Sequence, residues 1–418
     1  QIRTPYQAYH VLLSEIDPAR LQRQSTKAEE FFRKTGITFN VYGEEDAEER
    51  LIPFDLLPRI ISAKEWRTLT KGIEQRIKAL NAFLHDIYHR QEILRAGRIP
   101  AALIMENEAF LAQMVGIDPP GGIYTHIVGT DLVRTGPNDF FVLEDNALAA
   151  SAPAACSGTP TIAVLTPGIH NSAYYELAFL ADQMGVELVE GQDLKVVDGR
   201  ISMRTTCGFE PIDVLYRRVD DEYLDPLNFN PDSLLGVPGI FDIYRAGGIT
   251  LTNAPGTGIS DDKALYSYMP DIIEFYTGQK PLLKNVETWR CSEAQSLQYV
   301  LENLSDLVVK EVHGSGGYGM LVGPAASQSE IEAFRGKLKA TPANYIEQPT
   351  LALSTVPVLT EAGLAPRHVD LRPFALVSPQ SIDVVPGGLT RVAMKEGSLV
   401  VNSSQGGGTK DTWVLSDE

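Results

Sequence analysis

Residues 307–320 read Leu307-Val308-Val309-Lys310-Glu311-Val312-His313-Gly314-Ser315-Gly316-Gly317-Tyr318-Gly319-Met320. An apolar run rich in β-branched residues delivers Lys310, and four glycines then fall within six residues. Such a run reads as a strand followed by a loop. Glycines let the main chain approach phosphate oxygens and turn N–H groups toward them, while the lysine adds a point charge. The segment is not a P-loop, because no Gly-Lys-Ser/Thr ending is present. Nor is it the dinucleotide fingerprint, since a strand rather than a helix follows the glycines. It predicts a strand and loop that face phosphate, with a plain glycine turn as the bland alternative.

Downstream, Tyr345-Ile346-Glu347-Gln348-Pro349 reads as a short strand ending in a bend, suited to a hinge whose backbone could hold a base. His368-Val369-Asp370-Leu371-Arg372 puts His368, Asp370 and Arg372 on one strand face by the two-residue period. Arg391 and the glycine-rich stretch Asn402-Ser403-Ser404-Gln405-Gly406-Gly407-Gly408 follow. Arginines and such a loop suit anion binding or a lid, and an Asp370–Arg372 salt bridge is the competing account. Upstream, Asp261-Asp262-Lys263 opens a helix, so that Lys263 could reach a phosphate. Tyr216-Arg217-Arg218-Val219-Asp220 ends a strand where ligands of open α/β sheets gather.

The turn signal Gly136-Pro137-Asn138-Asp139 separates Tyr124-Thr125-His126-Ile127-Val128 from Phe140-Phe141-Val142-Leu143-Glu144-Asp145-Asn146, which predicts a hairpin. Glu144 and Asn146 then share a face that Asp145 does not. A carboxylate and an amide oxygen there suit Mg²⁺ held with substrate phosphates, with Asp131 on the preceding strand as a third oxygen. A capped hairpin end explains the same residues without a metal. Strands at Ile162-Ala163-Val164-Leu165, Val186-Glu187-Leu188-Val189 and Val214-Leu215-Tyr216 alternate with a helical run, the pattern of a parallel doubly wound sheet. Near the start, Trp66, Leu69, Ile73, Ile77, Leu80, Leu84 and Ile87 lay one apolar stripe along a helix. Pro53-Phe54-Asp55 and Pro58 before it read as a loop. His85 and His89 sit one turn apart on that helix beside Asp86, a spacing that can serve a metal, but no third ligand is evident and a solvated face is the simpler reading.

The bulk numbers frame these motifs. A chain of 418 residues exceeds one ordinary core, so two or three domains are expected. A formal charge of −18 makes nucleic acid and anionic membrane poor partners. Cys156, Cys207 and Cys291 are widely spaced and form no metal pattern, which fits a reducing compartment. With no secretory signal and no bilayer-length apolar run, the expected location is the cytoplasm. The chain opens on Gln1, so the protein is expected to begin further upstream.

Taken in order, these segments resemble the circularly permuted ATP-grasp proteins, in particular the bacterial glutathionylspermidine-synthase-like family. Further matching segments are Phe54-Asp55-Leu56-Leu57-Pro58-Arg59, Ala82-Phe83-Leu84-His85-Asp86-Ile87-Tyr88, Asn253-Ala254-Pro255-Gly256-Thr257-Gly258 and Asp370-Leu371-Arg372-Pro373-Phe374. The resemblance implies an α/β fold, α+β in its nucleotide-binding lobes. It divides the chain into a mainly helical region 1–120, a metal-binding hairpin 121–160, a preATP-grasp-like parallel α/β substrate domain 161–260 and nucleotide-binding lobes 261–418. It implies ATP and Mg²⁺ as cofactors, with Asp131, Glu144 and Asn146 on the metal and Lys263 and Lys310 on phosphates. Gly314, Ser315, Gly316, Gly317, Tyr318 and Gly319 would form the loop over those phosphates, and Glu347 and Gln348 would border adenine. Arg218 and Arg391 would lie near acyl phosphate or carboxylate, with Asp370 and Arg372 beside them as residues typical of the family. The activity implied is an ATP-dependent carboxylate–amine ligase acting through an acyl phosphate on a small acid and an amine (peptide, amino acid or polyamine). A nucleotide-binding scaffold that has lost turnover is the alternative. Two departures stand out. Asn146 runs into Ala147-Leu148-Ala149-Ala150 where the family carries Arg and Pro-Ser-Gly, as though a stretch were missing. After Lys310, only Glu311 stands near the place of a second metal-binding carboxylate.

Overall fold

The computed structural model describes residues 4–35, 38–39, 50–136, 139–148, 159–171, 173–314, 319–360, 363–401 and 406–416. Helices α1 (Thr4–Glu15) and α2 (Pro18–Thr35) precede strand β1 (Phe54–Ile61) and the long helix α3 (Ala63–Tyr88). A capping box starts α3: the Ser62 hydroxyl accepts from the Glu65 N–H, and the Glu65 carboxylate accepts from the Ser62 N–H. Its predicted stripe is buried throughout. Trp66, Leu69, Ile73 and Ile77 pack with Leu132, Val142 and Leu371, whereas Leu80, Phe83, Leu84 and Ile87 enter a second core with Leu215 and Leu251. One amphipathic helix therefore serves as the spine between two sheets.

The stretch around Pro58 corrects the sequence reading, because it is strand rather than loop. β1 lies at an edge of the largest sheet, and its register slips between Asp55 and Arg59. Pro58 falls in that slip, where a missing N–H does least harm. Next come the antiparallel strands β2 (Ile127–Arg134) and β3 (Phe140–Leu148), which form the expected hairpin. Strands β4 (Ile162–Leu165), β5 (Glu187–Val189), β6 (Val214–Arg217) and β7 (Thr250–Thr252) then build an all-parallel sheet in the order β7-β6-β4-β5. Helix α4 (Tyr174–Met184) connects β4 to β5.

After the short helix α5 (Lys263–Tyr266), a small lobe is built from β8 (Trp289–Arg290), α6 (Ala294–Asn303), β9 (Leu307–Glu311), β10 (Leu321–Val322), α7 (Gln328–Ala340) and β11 (Tyr345–Pro349). Its antiparallel sheet runs β8-β11-β9-β10, with Val309, Leu321 and Tyr345 against Val300, Ile331 and Leu338 of the helices. The chain finally returns to the first sheet through β12 (Gly363–Arg372), β13 (Phe374–Val377), β14 (Leu389–Val392) and β15 (Gly408–Val414). That sheet has ten strands among the described residues, with β3-β2-β12-β14-β15-β1 as its main path. Its strands come from both halves of the sequence. No helix among the described residues is long and apolar enough to cross a membrane.

Candidate functional site

A cleft of about 530 Å³ lies between the large sheet and the small lobe. The antiparallel register fixes what faces it. On β9, Val308 and Lys310 lie opposite Gln348 and Ile346 of β11, and directly opposed residues share a face. Val308, Lys310 and Gln348 accordingly line the cleft, and Lys310 Nζ donates to Gln348 Oε1 at 2.9 Å. Burial above all pulls Lys310 below the usual lysine range, with Lys263 and Arg391 adding to the effect against the pull of Glu144 and Asp131. Lys263 opens α5, which is capped by the Asp262 carboxylate accepting from the N–H groups of Ala264 and Leu265. Its ammonium donates to the Gly314 carbonyl.

On the opposite wall, Glu144 and Asn146 of β3 face the cleft. Asp145 makes the other half of the period-two prediction: it is buried, accepts from Thr130 at 3.0 Å and pairs with Arg76 of α3. The Glu144 side chain is one-third exposed and stands 3.7 Å from Arg372. Asn146 Nδ2 is buried with no hydrogen-bond partner. The Glu144 carboxylate and the Asn146 amide oxygen, facing one cavity, fit a hard cation, while the unsatisfied Nδ2 is a donor suited to a phosphate oxygen beside it.

Asp131 lies opposite Glu144 in the hairpin register and also lines the cleft. Both of its oxygens are already engaged: Arg372 Nη2 donates at 2.8 Å, Arg391 Nη2 at 2.7 Å, and Arg372 Nε donates as well. Burial alone would raise this carboxyl, but the two guanidiniums outweigh it and hold the group below its ordinary range. Asp370 receives Arg391 Nε at 3.0 Å. The Asp370–Arg372 bridge considered from sequence does not form. Neighbours two apart on β12 reach instead to β14 and β2, so the network stitches three strands rather than one.

The cleft gathers Asp131, Glu144, Asn146, Lys263, Lys310, Gly314, Gln348, Asp370, Arg372 and Arg391. Two predicted residues stand elsewhere. Glu347 points to the opposite face of β11, toward the small-lobe core; it is 0% exposed, and neither carboxylate oxygen has a hydrogen-bond partner. Burial, with Glu287 nearby, pushes it up to about 8. Arg218 is exposed beyond β6, outside the cleft lining, while its neighbour Arg217 turns inward to the carbonyls of Asn253 and Val219 and to Asp221. Ser315, Gly316, Gly317, Tyr318 and the stretch 402–405 lie outside the described residues, whereas Gly319 adopts a positive φ of 67°. The apolar wall of Val308, Met320, Val322, Leu353 and Val400 was missed from sequence. Val308 was within reach, because it is two residues before Lys310 on the same strand.

Two lobes that oppose lysines to an acid–amide pair across a nucleotide-sized cleft, with the acid–amide strand first in sequence, define a permuted ATP-grasp protein. The sequence model described as Circularly permuted ATP-grasp type 2 matches residues 58–154 and 146–393, two pieces that meet in the stretch where the motif after Asn146 departs from the family pattern. This chain belongs to that family. An uncharacterized protein of Synechocystis is 47% identical over 444 positions, covering 96% of this chain and 92% of the relative. A Frankia alni protein named, provisionally, as a glutamate–cysteine ligase is 38% identical over 99% of this chain, which spans 52% of that relative. Among solved structures, the apo form of a glutathione synthetase-like effector from Globodera pallida aligns over 96% of this chain and 98% of its own, with a TM-score of 0.56 and 12% identity. That likeness is one of fold.

Proposed function

We propose that this chain is an ATP-dependent, ADP-forming carboxylate–amine ligase that makes an amide through an acyl phosphate. The observation that carries the reading is the convergence of Lys310 and Lys263 with Glu144 and Asn146 on one cleft, although the lysines come from residues 263–310 and the acid–amide pair from β3. Family membership supports ATP as the cosubstrate.

In this reading a carboxylate oxygen of the acid attacks the γ-phosphorus, and the bond to ADP breaks as the P–O bond to the acid forms. The amine nitrogen then attacks the acyl carbon, inorganic phosphate leaves, and the amine gives up a proton. Lys310 and Lys263 hold phosphate oxygens and offset the charge spread during transfer. Glu144 and Asn146 would hold Mg²⁺, which when bound would supply charge neutralisation for the phosphates. Arg391 and Arg372, fixed by Asp370 and Asp131, present guanidinium edges to the acyl phosphate side. Gln348 and the strand end after it border the base. The name of the Frankia relative makes amino acids natural first candidates for the acid and the amine. Peptides and polyamines extend that set.

The test is release of ADP and phosphate from MgATP in the presence of pooled acids, pooled amines, or both. A ligase releases both products only when acid and amine are supplied together. A protein that binds nucleotide without turnover releases neither under any combination, and that outcome overturns the proposal.

A further inference from the structure

His85 and His89 lie at the C-terminal end of α3, and the structure supplies the third partner that their spacing left open. Asp118, thirty residues on and distant in the sequence pattern, places Oδ1 3.3 Å from His85 Nε2 and 3.2 Å from His89 Nε2. The imidazoles are stacked, with ring centroids 4.2 Å apart and planes 8° from parallel. Both Nε2 atoms lie against one carboxylate oxygen, and a tilt of the stacked rings toward each other would bring both lone pairs onto a shared ion.

Several features separate this arrangement from an ordinary polar contact. His89 Nε2 is buried and has no hydrogen-bond partner, so its 3.2 Å approach to Asp118 is a close contact without the alignment of a hydrogen bond. Ligand atoms around a four-coordinate metal likewise stand close together without bonding one another. With bonds of about 2.0–2.1 Å, tetrahedral geometry sets neighbouring ligand atoms about 3.3 Å apart. His89 Nδ1 lies 2.8 Å from the His85 carbonyl oxygen, so that Nδ1 donates and the lone pair is left on Nε2. Such second-atom anchoring is the usual support for a metal-binding imidazole. Asp86, the acid between the two histidines, plays no part, because its carboxylate accepts from the N–H groups of Glu92 and Ile93 and from the Tyr276 hydroxyl. The loop carrying Asp118 is itself held in place: Gly116 N–H donates to the Tyr88 carbonyl at 2.8 Å, and the Tyr124 hydroxyl donates to the Ile117 carbonyl at 3.3 Å. The negative end of the α3 dipole adds a further preference for a cation.

We propose that His85 Nε2, His89 Nε2 and Asp118 Oδ1 form a binding site for a divalent transition-metal ion of the zinc class, with solvent at the fourth position. Two imidazoles and one carboxylate select this class over Mg²⁺ or Ca²⁺, which take all-oxygen sites. The site is separate from the cleft and does not depend on the ligase reading. Its role is a clamp. It would tie the end of α3, the helix whose Arg76 holds Asp145, to the segment that leads into β2 and Asp131.

The experiment uses the full chain, stripped of metal by a chelator and then titrated with Zn²⁺ and, separately, Co²⁺. Bound zinc is measured by equilibrium dialysis with elemental analysis, and the visible d–d absorption of Co²⁺ reports four-coordinate geometry. The wild type is expected to bind one equivalent that His89→Ala and Asp118→Asn lose, or bind at least tenfold more weakly. The Co²⁺ band should vanish in both variants and persist in Glu144→Gln, which removes the cleft carboxylate instead. Zinc should raise the melting temperature of the wild type but not of Asp118→Asn. The Asp118 side chain is 71% exposed, so that substitution leaves the core untouched. Equal zinc content in the wild type and both site variants overturns the proposal, as does a wild type that retains no zinc.

Discussion

Lys310 and Glu144 face each other across the cleft, and each is legible from sequence for a local reason: a strand's period of two says which side chains share a face. Lys310→Ala should lower ATP turnover by about 100-fold or more, as loss of a preorganised cation at a transferring phosphoryl does. The assay is ADP release, paired with a thermal melt to show that the fold is retained. The arginine network was not legible, because its partners are separated by as many as 260 positions and no local pattern records such pairing. Asp370 is 0% exposed, so Asp370→Ala should destabilise the protein by about 1–3 kcal/mol, because Arg391 loses its bonds to Asp370 and keeps the one to Asp131. Urea unfolding measures this. Glu347 provides a pH signature. Its carboxyl is raised to about 8 in the fold, above its unfolded value, so the folded state holds a proton that the unfolded chain releases. That contribution is fully present below the unfolded pKa and is lost as pH rises through the folded one. Between about pH 5 and 8 the wild type should therefore lose about 1.4 kcal/mol per pH unit relative to Glu347→Gln, and the two should run parallel above that window. Parallel curves throughout would show that Glu347 is ionised in the fold.

Among elements, α3 was the easiest to read, since its stripe is written in consecutive turns. Ser62→Ala removes the hydroxyl that accepts from the Glu65 N–H and should cost about 1 kcal/mol, seen as a lower midpoint in thermal unfolding. β1 was the hardest. Proline is a sound breaker signal in isolation, and only the edge position and the register slip opposite Lys410 and Thr412 make room for Pro58. The parallel order of β4 to β7 followed from strand–helix alternation, whereas the antiparallel pairing of β9 with β11 rests on contacts that span the whole small lobe. Asp118 belongs to the same lesson. Its loop carries no motif, so only folding reveals that it meets His85 and His89.

For the whole molecule, the cleft depends on two lobes meeting, and a nucleotide analogue with Mg²⁺ should slow amide hydrogen exchange in β3 and β9 together. Protection confined to one of these strands would place the nucleotide elsewhere. The family resemblance conveyed the lobes and their permuted order. It did not convey that β1 closes the sheet against β15, a strand far away in the sequence. That closure has a consequence for biosynthesis. As the polypeptide leaves the ribosome, residues 54–61 emerge long before the segment they pair with, 408–414. Until that segment is made, the nascent chain carries an unsatisfied edge beside a half-built sheet, the kind of surface that chaperones shield and that aggregates when they do not.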